Sequence, residues 1–375
     1  LADSPQFEYL TYGTRTDSEQ IGHLLDHLLD HFLTTRAADR PPTPLCIWGT
    51  HGIGKTELVR ASAERRGCRF VYIAPAQFEE MGDLVGMPRV ETDPEKGPVT
   101  HFAPPDWVPH APGPGILLID DVNRADDRIL RGIMQLLQNY ELVSWHLPPG
   151  WLIVLTANPD GGDYSVTTMD DAMLTRMMHV TLAFEPNAWA RWAERSGVDP
   201  RGIAFVLTYP ELLNGRRTTP RSLVQFFGLI QPLADLRSRL ELVKLLADGC
   251  LDPETTAAFL HYVNVDLDRL VTPEEILDTD DFDAVQRRLD SLVEGKTKRL
   301  DILSVTITRL VNHLTLGPGD LTDRQFANLR RFVLLPLLPN DLRLSMAQDL
   351  VKSDKKNLKK LYAVPEVGRL LLTKM

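Results

Sequence analysis

One stretch, Leu45 to Glu57 (LCIWGTHGIGKTE), constrains this chain more than any other. Within it, Gly49-Thr50-His51-Gly52-Ile53-Gly54-Lys55-Thr56 fits the GxxxxGK[ST] spacing of a phosphate-binding P-loop, or Walker A pattern. An apolar run, Leu45 to Trp48, reads as a strand that delivers the chain to a glycine turn. Such a turn uses backbone conformations barred to most residues with a Cβ, and its N–H groups can point at phosphate oxygens. A helix is expected from about Lys55 to Arg66, adding the positive end of its dipole. Gly49 through Thr56, with Glu57 in the first helical turn, are therefore the candidate nucleotide-binding residues. Lys55 is expected on the β and γ phosphates of ATP, and the Thr56 hydroxyl on Mg²⁺.

The remaining composition narrows the setting. A chain of 375 residues can build two or three domains. Its hydrophobic content (43%) and charged content (25%) are those of an ordinary globular protein. The formal net charge of −10 argues against a general nucleic-acid coat, although a local basic groove stays possible. Cys46, Cys68 and Cys250 match no zinc or redox spacing and read as free buried thiols in a reducing compartment. No apolar run approaches membrane-spanning length, and the opening LADSPQFEYL lacks the layout of a signal peptide. The expected location is cytoplasmic. Because the sequence begins with Leu1, its natural start is expected upstream.

Taken in order, Glu19 to Ala37 has helical spacing, with Ile21, Leu25, Leu29 and their neighbours on one face. His23, His27 and His31 form a second stripe; a metal site is one reading, and a polar flank the favoured one. Strands are expected at Arg69 to Ala74, Gly115 to Asp121, Trp151 to Thr156 and His179 to Phe184. A helix is expected at Asp126 to Tyr140. Near-continuous apolar strands alternating with helices predict an α/β domain: a parallel sheet covered on both faces. Pro75 to Pro114 reads as a long Pro- and Gly-rich loop. From Pro186 onward the periodicity is helical, with helices expected at 200–213, 220–233, 236–247 and 323–338 among others. The expected division is 1–186 for the α/β domain, 187–266 for a helical lid and 267–375 for a C-terminal helical domain. Lys352 to Lys374 carries seven Lys or Arg against two acids, favouring a solvated helix face over a basic contact surface.

Two further signals bear on chemistry. The strand ending in Asp120-Asp121, 65 residues after Lys55, is a Walker B arrangement. Asp120 is expected to hold the Mg²⁺ shell, and Asp121 to act as the base that polarises an attacking water. Thr156-Ala157-Asn158-Pro159 closes the next strand. Ligands bind beyond the carboxyl ends of strands in open parallel sheets, so Asn158 is expected between the γ phosphate and that water.

With these residues in view, the chain resembles an AAA+ ATPase, and more narrowly the MoxR-like clade. The resemblance rests on DLVGMP (Asp83 to Pro88), VTHFAPPDWVP (Val99 to Pro109), GILLIDDVNRA (Gly115 to Ala125), HLPPGWLIVLTANP (His146 to Pro159) and TPRS (Thr219 to Ser222). It spans about residues 20 to 235. It implies an AAA+ fold with an all-α lid, and a ring of identical subunits, usually hexameric, with ATP at the subunit boundaries. Asn158 would be sensor 1. Arg176 would be the arginine finger that reaches a neighbour's γ phosphate, and such a finger is worth about 10³–10⁵ in rate. Arg221 would be sensor 2, with Arg124 a further candidate for a contact across the boundary. One departure stands out: relatives usually carry Asp-Glu where this chain has Asp120-Asp121. Aspartate is one methylene shorter, and misplacement by about 1 Å can cost roughly 10²-fold.

The resemblance implies hydrolysis that remodels or activates a protein partner, in this clade usually one with a von Willebrand A-type domain. The pore is then expected along Pro75 to Pro114, with Met81 to Met87 as its contact and Trp107 either there or in the core. The alternatives are a nucleotide-gated scaffold with little turnover and, less favoured, a nucleic-acid motor or loader.

Overall fold

The structure is a computed structural model. It describes residues 12–34, 41–143, 145–159, 166–214, 217–293, 298–317, 319–353 and 355–363, together with 365 and 367. The chain divides into two compact units, Leu1–Glu185 and Pro186–Met375.

The first unit is α/β. Its strands and helices run β1 (Thr14–Thr16), α1 (Ser18–Thr34), β2 (Leu45–Trp48), α2 (Lys55–Arg65), β3 (Arg69–Ile73), α3 (Met81–Val85), β4 (Met87–Asp93), β5 (Gly97–Ala103), β6 (Gly115–Ile119), α4 (Asp127–Asn139), β7 (Glu141–Leu142), β8 (Trp145–His146), β9 (Trp151–Ala157), α5 (Asp171–Leu174) and β10 (Met178–Leu182). Six strands form one parallel sheet in the order β1-β10-β2-β9-β6-β3. Successive side chains of a strand point to opposite faces, so the buried strands feed two cores. Cys46, Trp48, Leu117, Ile119, Ile153 and Leu155 enter one, with Ile129, Ile133 and Leu136 of α4. Leu45, Ile47, Ile116, Leu118, Leu152 and Val154 enter the other, with Ile21, Leu25 and Leu29 of α1 and Val59 of α2. The first unit is thus an α/β unit with helices on both faces of a parallel sheet, followed in the chain by a helical region.

The sheet order places the site. After β2 the chain crosses three places to β3 at the far edge, then fills the two positions between with β6 and β9. The carboxyl ends of β2, β9 and β6 therefore lie side by side where the strand order reverses. A ligand crevice forms at such a switch point.

The segment Pro75 to Pro114 corrects the reading of a long loop. It holds a 3₁₀ turn at Pro75–Gln77, the short helix α3, and an antiparallel hairpin of β4 and β5. Every residue of β4 but Asp93 is exposed, so the hairpin has no buried face and no apolar alternation to betray it. Within this segment Met87 is 71% exposed, whereas Leu84 is buried and Met81 reaches Gly132 of α4. Trp107 packs edge-on against Trp145 at 5.4 Å and donates from Nε1 to the Asp83 carbonyl at 3.2 Å, an anchoring role. The strand β1 carries no sequence signal of its own, being three residues long and paired with β10 at the sheet edge. His23, His27 and His31 lie exposed along α1, as a polar flank does.

The second unit is helical: α6 (Pro186–Arg195), α7 (Pro200–Thr208), α8 (Pro220–Ile230), α9 (Leu240–Cys250), α10 (Pro253–His261), α11 (Pro273–Leu277), α12 (Phe282–Val293), α13 (Leu300–Leu316), α14 (Asp323–Val333), α15 (Asn340–Lys352) and α16 (Lys356–Lys359). Three of these end earlier than their apolar spacing suggests: α7 before Pro210, α8 before Pro232 and α14 before Pro336. Proline lacks the N–H that would continue the ladder and restrains the residue before it. Phe205, Phe226, Phe227, Phe259 and Tyr262 are fully buried and stack edge-on or tilted in one aromatic cluster. The far end of the basic tail, residues 368–375, lies outside the described residues.

Candidate functional site

At the end of β2 the backbone turns through Gly52 (φ 71°) and Gly54 (φ 101°), left-handed conformations that glycine adopts without a steric penalty. Gly54 caps α2, whose first residue is Lys55. The turn and the helix N-terminus together form a concavity of N–H groups suited to an anion. Lys55 is only 5% exposed. Its ammonium donates to the Gly49 carbonyl (2.7 Å), the Thr50 carbonyl (3.2 Å) and Asn158 Oδ1 (3.1 Å). Glu57, in the first turn of α2, is exposed. His51 is exposed at the tip of the loop, and Ile53 packs against the core on the α1 and α2 side.

The end of β6 supplies the two acids. Asp120 Oδ1 accepts from the Thr56 hydroxyl (2.8 Å) and the Thr156 hydroxyl (2.6 Å), while Oδ2 accepts from the Tyr72 hydroxyl (3.2 Å). Burial, and then the Asp120 carboxylate, pushes the Tyr72 hydroxyl above the usual tyrosine range. Asp121 sits in the left-handed region (φ 47°, ψ 45°), a conformation that costs a non-glycine residue about 1–2 kcal/mol. Three contacts hold it there. Its N–H donates to Thr156 Oγ1 (2.8 Å), its Oδ1 accepts from Asn158 Nδ2 (3.0 Å), and Arg124 Nε lies 3.4 Å from its Oδ2. The kink turns the Asp121 carboxylate away from the strand direction and toward Asn158.

Asn158 follows β9 and is fully buried. Its backbone is pinned on both sides by Asn123, whose Oδ1 accepts from the Asn158 N–H (3.1 Å) and whose Nδ2 donates to the Asn158 carbonyl (2.8 Å). Its side chain links Lys55 to Asp121. The structure thus brings together Gly49, Thr50, Lys55, Thr56, Asp120, Asp121 and Asn158. It adds Thr156, Asn123 and Tyr72, which sequence reasoning missed. Thr156 and Asn123 stand inside motifs already noticed (TANP and DDVN), but nothing in their spacing says which neighbours they hold. Tyr72 looks like any strand aromatic.

Arg176 does not join this cluster. Arg176 stands just before β10, whose first residue Met178 pairs with Leu45, the first residue of β2. In a parallel pair this places Arg176 beyond the amino end of the sheet, while the P-loop lies beyond the carboxyl end. At least the length of β2, roughly 10 Å, separates them. Arg176 contacts Gln138 Oε1 near the end of α4 (3.2 Å) and the Ala172 carbonyl. Arg221 belongs to the second unit, exposed on the first turn of α8 behind the Thr219 capping box.

The donors fit Mg²⁺. Thr56 and Asp120 offer hard oxygens 2.8 Å apart beside the phosphate cradle, and Mg²⁺ is commonly held by one or two carboxylates together with substrate phosphates. Among the described residues no group of three or more His, Cys, Asp and Glu side chains could hold a metal. The three cysteines are free; Cys46 is buried, which pushes its thiol far above the ordinary range, whereas Cys68 and Cys250 are only half-buried, against the expectation of three buried thiols. No described helix is long and apolar enough to cross a membrane.

Residues 44–177, from the start of the P-loop strand to just past Arg176, match the family described as AAA domain (dynein-related subfamily). A curated relative from Rhodococcus erythropolis, named ATP-dependent protease ATP-binding subunit-like protein, is 36% identical over 109 residues. That match covers 28% of this chain and 31% of the relative, so the chain spans about a third of the relative's length. Among solved structures, a point mutant of RuvB from Thermotoga maritima aligns at a TM-score of 0.40 and 15% identity, over 83% of this chain and 94% of that one. A closed-state reconstruction of Hsp104 with ATPγS and FITC casein aligns at 0.40 and 15%, over 61% of this chain and 46% of that one. The family and the curated relative support an AAA+ ATPase domain in this chain.

Proposed function

We propose that this protein is an AAA+ ATPase of MoxR-like type that works as a ring, usually hexameric, and uses ATP hydrolysis to remodel or activate a protein partner. One observation carries the reading: Asn158 joins the phosphate-binding Lys55 to the acidic Asp121 in a single hydrogen-bonded chain. The P-loop N–H groups and Lys55 hold the β and γ phosphates. Thr56 and Asp120 would hold Mg²⁺, which would supply positive charge to stabilise the phosphates during transfer. Asp121 accepts the proton of the attacking water, and Asn158 orients that water against the γ phosphate. Arg176, set at the opposite end of its own sheet, serves the site of the neighbouring subunit. Arg221 reports the nucleotide state to residues 187–266 as a lid, and residues 267–375 dock the partner. A von Willebrand A-type partner follows from the resemblance alone.

Assembly and turnover together test this reading. With Mg²⁺ and ATP the native chain should run as an oligomer and release phosphate. A monomer without turnover, with ATP bound, would refute it.

A second reading, a nucleotide-gated scaffold with little hydrolysis, is favoured by the shorter Asp121 and by its engagement with both Asn158 and Arg124. A nucleic-acid motor finds support only in the basic composition of Lys352 to Lys374.

A further inference from the structure

We propose that Tyr72 is a positioning residue for the metal-holding carboxylate, and that its hydroxyl sets the affinity of this site for Mg²⁺. The assignment rests on the ATPase reading above.

Tyr72 lies on β3, the edge strand beside β6, in register with Leu118. The ladder continues one step beyond its last register pair, because the Asp120 N–H donates to the Ile73 carbonyl at 2.8 Å. Asp120 is therefore the first residue whose side chain leaves the end of the β6 ladder. Residues 70 and 72 share a face of β3. Phe70 packs on the core shared with α1 and α2, and Arg60 of α2 lies over its ring at 5.4 Å. Tyr72 therefore stands on the side from which α2 delivers Thr56.

The hydrogen bonds divide cleanly between the two carboxylate oxygens. Thr56 and Thr156 take Oδ1, and Tyr72 takes Oδ2. Donors on Oδ1 alone fix one oxygen and leave the tilt of the carboxylate, and so the place of Oδ2, free to vary. The third donor, coming from a different strand, removes that freedom. A donor that orients a metal-binding carboxylate also tunes it, and losing such a partner typically costs about 10–100-fold in metal affinity. Tyr72 is 43% exposed, so replacing it disturbs little packing.

The test is Tyr72→Phe in the full chain, which removes only the hydroxyl. Thermal melts are recorded without ligand, with ADP in EDTA, and with ADP across a MgCl₂ titration. The first two should match the native protein. The MgCl₂ concentration giving half of the Mg²⁺-dependent shift should rise about tenfold. In an Asp120→Asn background, Tyr72→Phe should add nothing further. An unchanged midpoint overturns the proposal, and so does a lowered ligand-free melt with an unchanged midpoint, which marks a purely structural role. If the native protein shows no Mg²⁺-dependent shift with ADP, the nucleotide-site reading itself falls, a distinct outcome.

Discussion

Asn158 donates through Nδ2 to Asp121 at 3.0 Å while its Oδ1 receives the Lys55 ammonium at 3.1 Å. The two bonds fix the amide orientation, because only Oδ1 can accept from an ammonium and only Nδ2 can donate to a carboxylate. One buried side chain therefore couples the P-loop lysine to the proposed base.

Replacing Asn158 should uncouple them. Asn158→Ala leaves Lys55 with its two carbonyl partners and Asp121 with Arg124. Nucleotide affinity should change little, whereas kcat should fall about 10²-fold, the usual cost of a misplaced catalytic group. Titration of a fluorescent nucleotide beside steady-state phosphate release checks both halves. Equal losses in affinity and rate would assign Asn158 to ground-state binding instead.

Arg176 lies too far along its own sheet to serve its own P-loop. Arg176→Ala and Lys55→Ala should each abolish turnover, and mixed rings should recover a fraction of it. Recovery arises where an intact P-loop meets an intact arginine from the adjacent subunit. A mixture that regains nothing, although mixed oligomers form, contradicts the trans role.

Acid sensitivity is built into the helical unit. Burial alone would raise the Asp266 carboxyl, but donation from Arg299 (2.7 Å) and the Tyr209 hydroxyl (2.7 Å) outweighs it and holds the group below the usual carboxylate range. The same contact acts in reverse on Tyr209, which burial and then the Asp266 hydrogen bond push up to about 12. A carboxyl depressed on folding contributes stability that is complete above its unfolded value, about 3.9, and is lost as pH falls through the folded value. Melting temperature should therefore drop below about pH 4. Asp266→Ala should cost about 3 kcal/mol at neutral pH and flatten that acid limb. Melts of the two proteins from pH 7 to pH 3 decide the matter, and parallel curves would remove Asp266 as a cause.

Much of the site was legible because its backbone pieces are contiguous. Gly49 to Thr56 is one turn, Asp120-Asp121 one strand end, and Asn158 another. The partners of these residues were not legible. Thr156 holds Asp120 and Asp121, and Asn123 holds Asn158, only because β6 and β9 are neighbours in the sheet. Tyr72 depends on the pairing of β3 with β6. Side-chain spacing along one strand carries no record of which strand lies beside it. The hairpin of β4 and β5 escaped notice for another reason: a strand pair without a buried face has no alternation to read. Asp121 raised a question about length, one methylene against two. The structure recasts it as a question of backbone direction, since the left-handed turn redirects the shorter carboxylate onto Asn158.

That turn leads to the decisive measurement. Steady-state phosphate release with saturating Mg²⁺ and ATP should be compared between the native chain and Asp121→Asn, with nucleotide affinity measured on both. If Asp121 is the base, both proteins bind ATP alike and the native chain turns over about 10²-fold faster or more. Equal rates with ATP bound to both would contradict hydrolysis through Asp121 and leave the nucleotide-gated switch in its place.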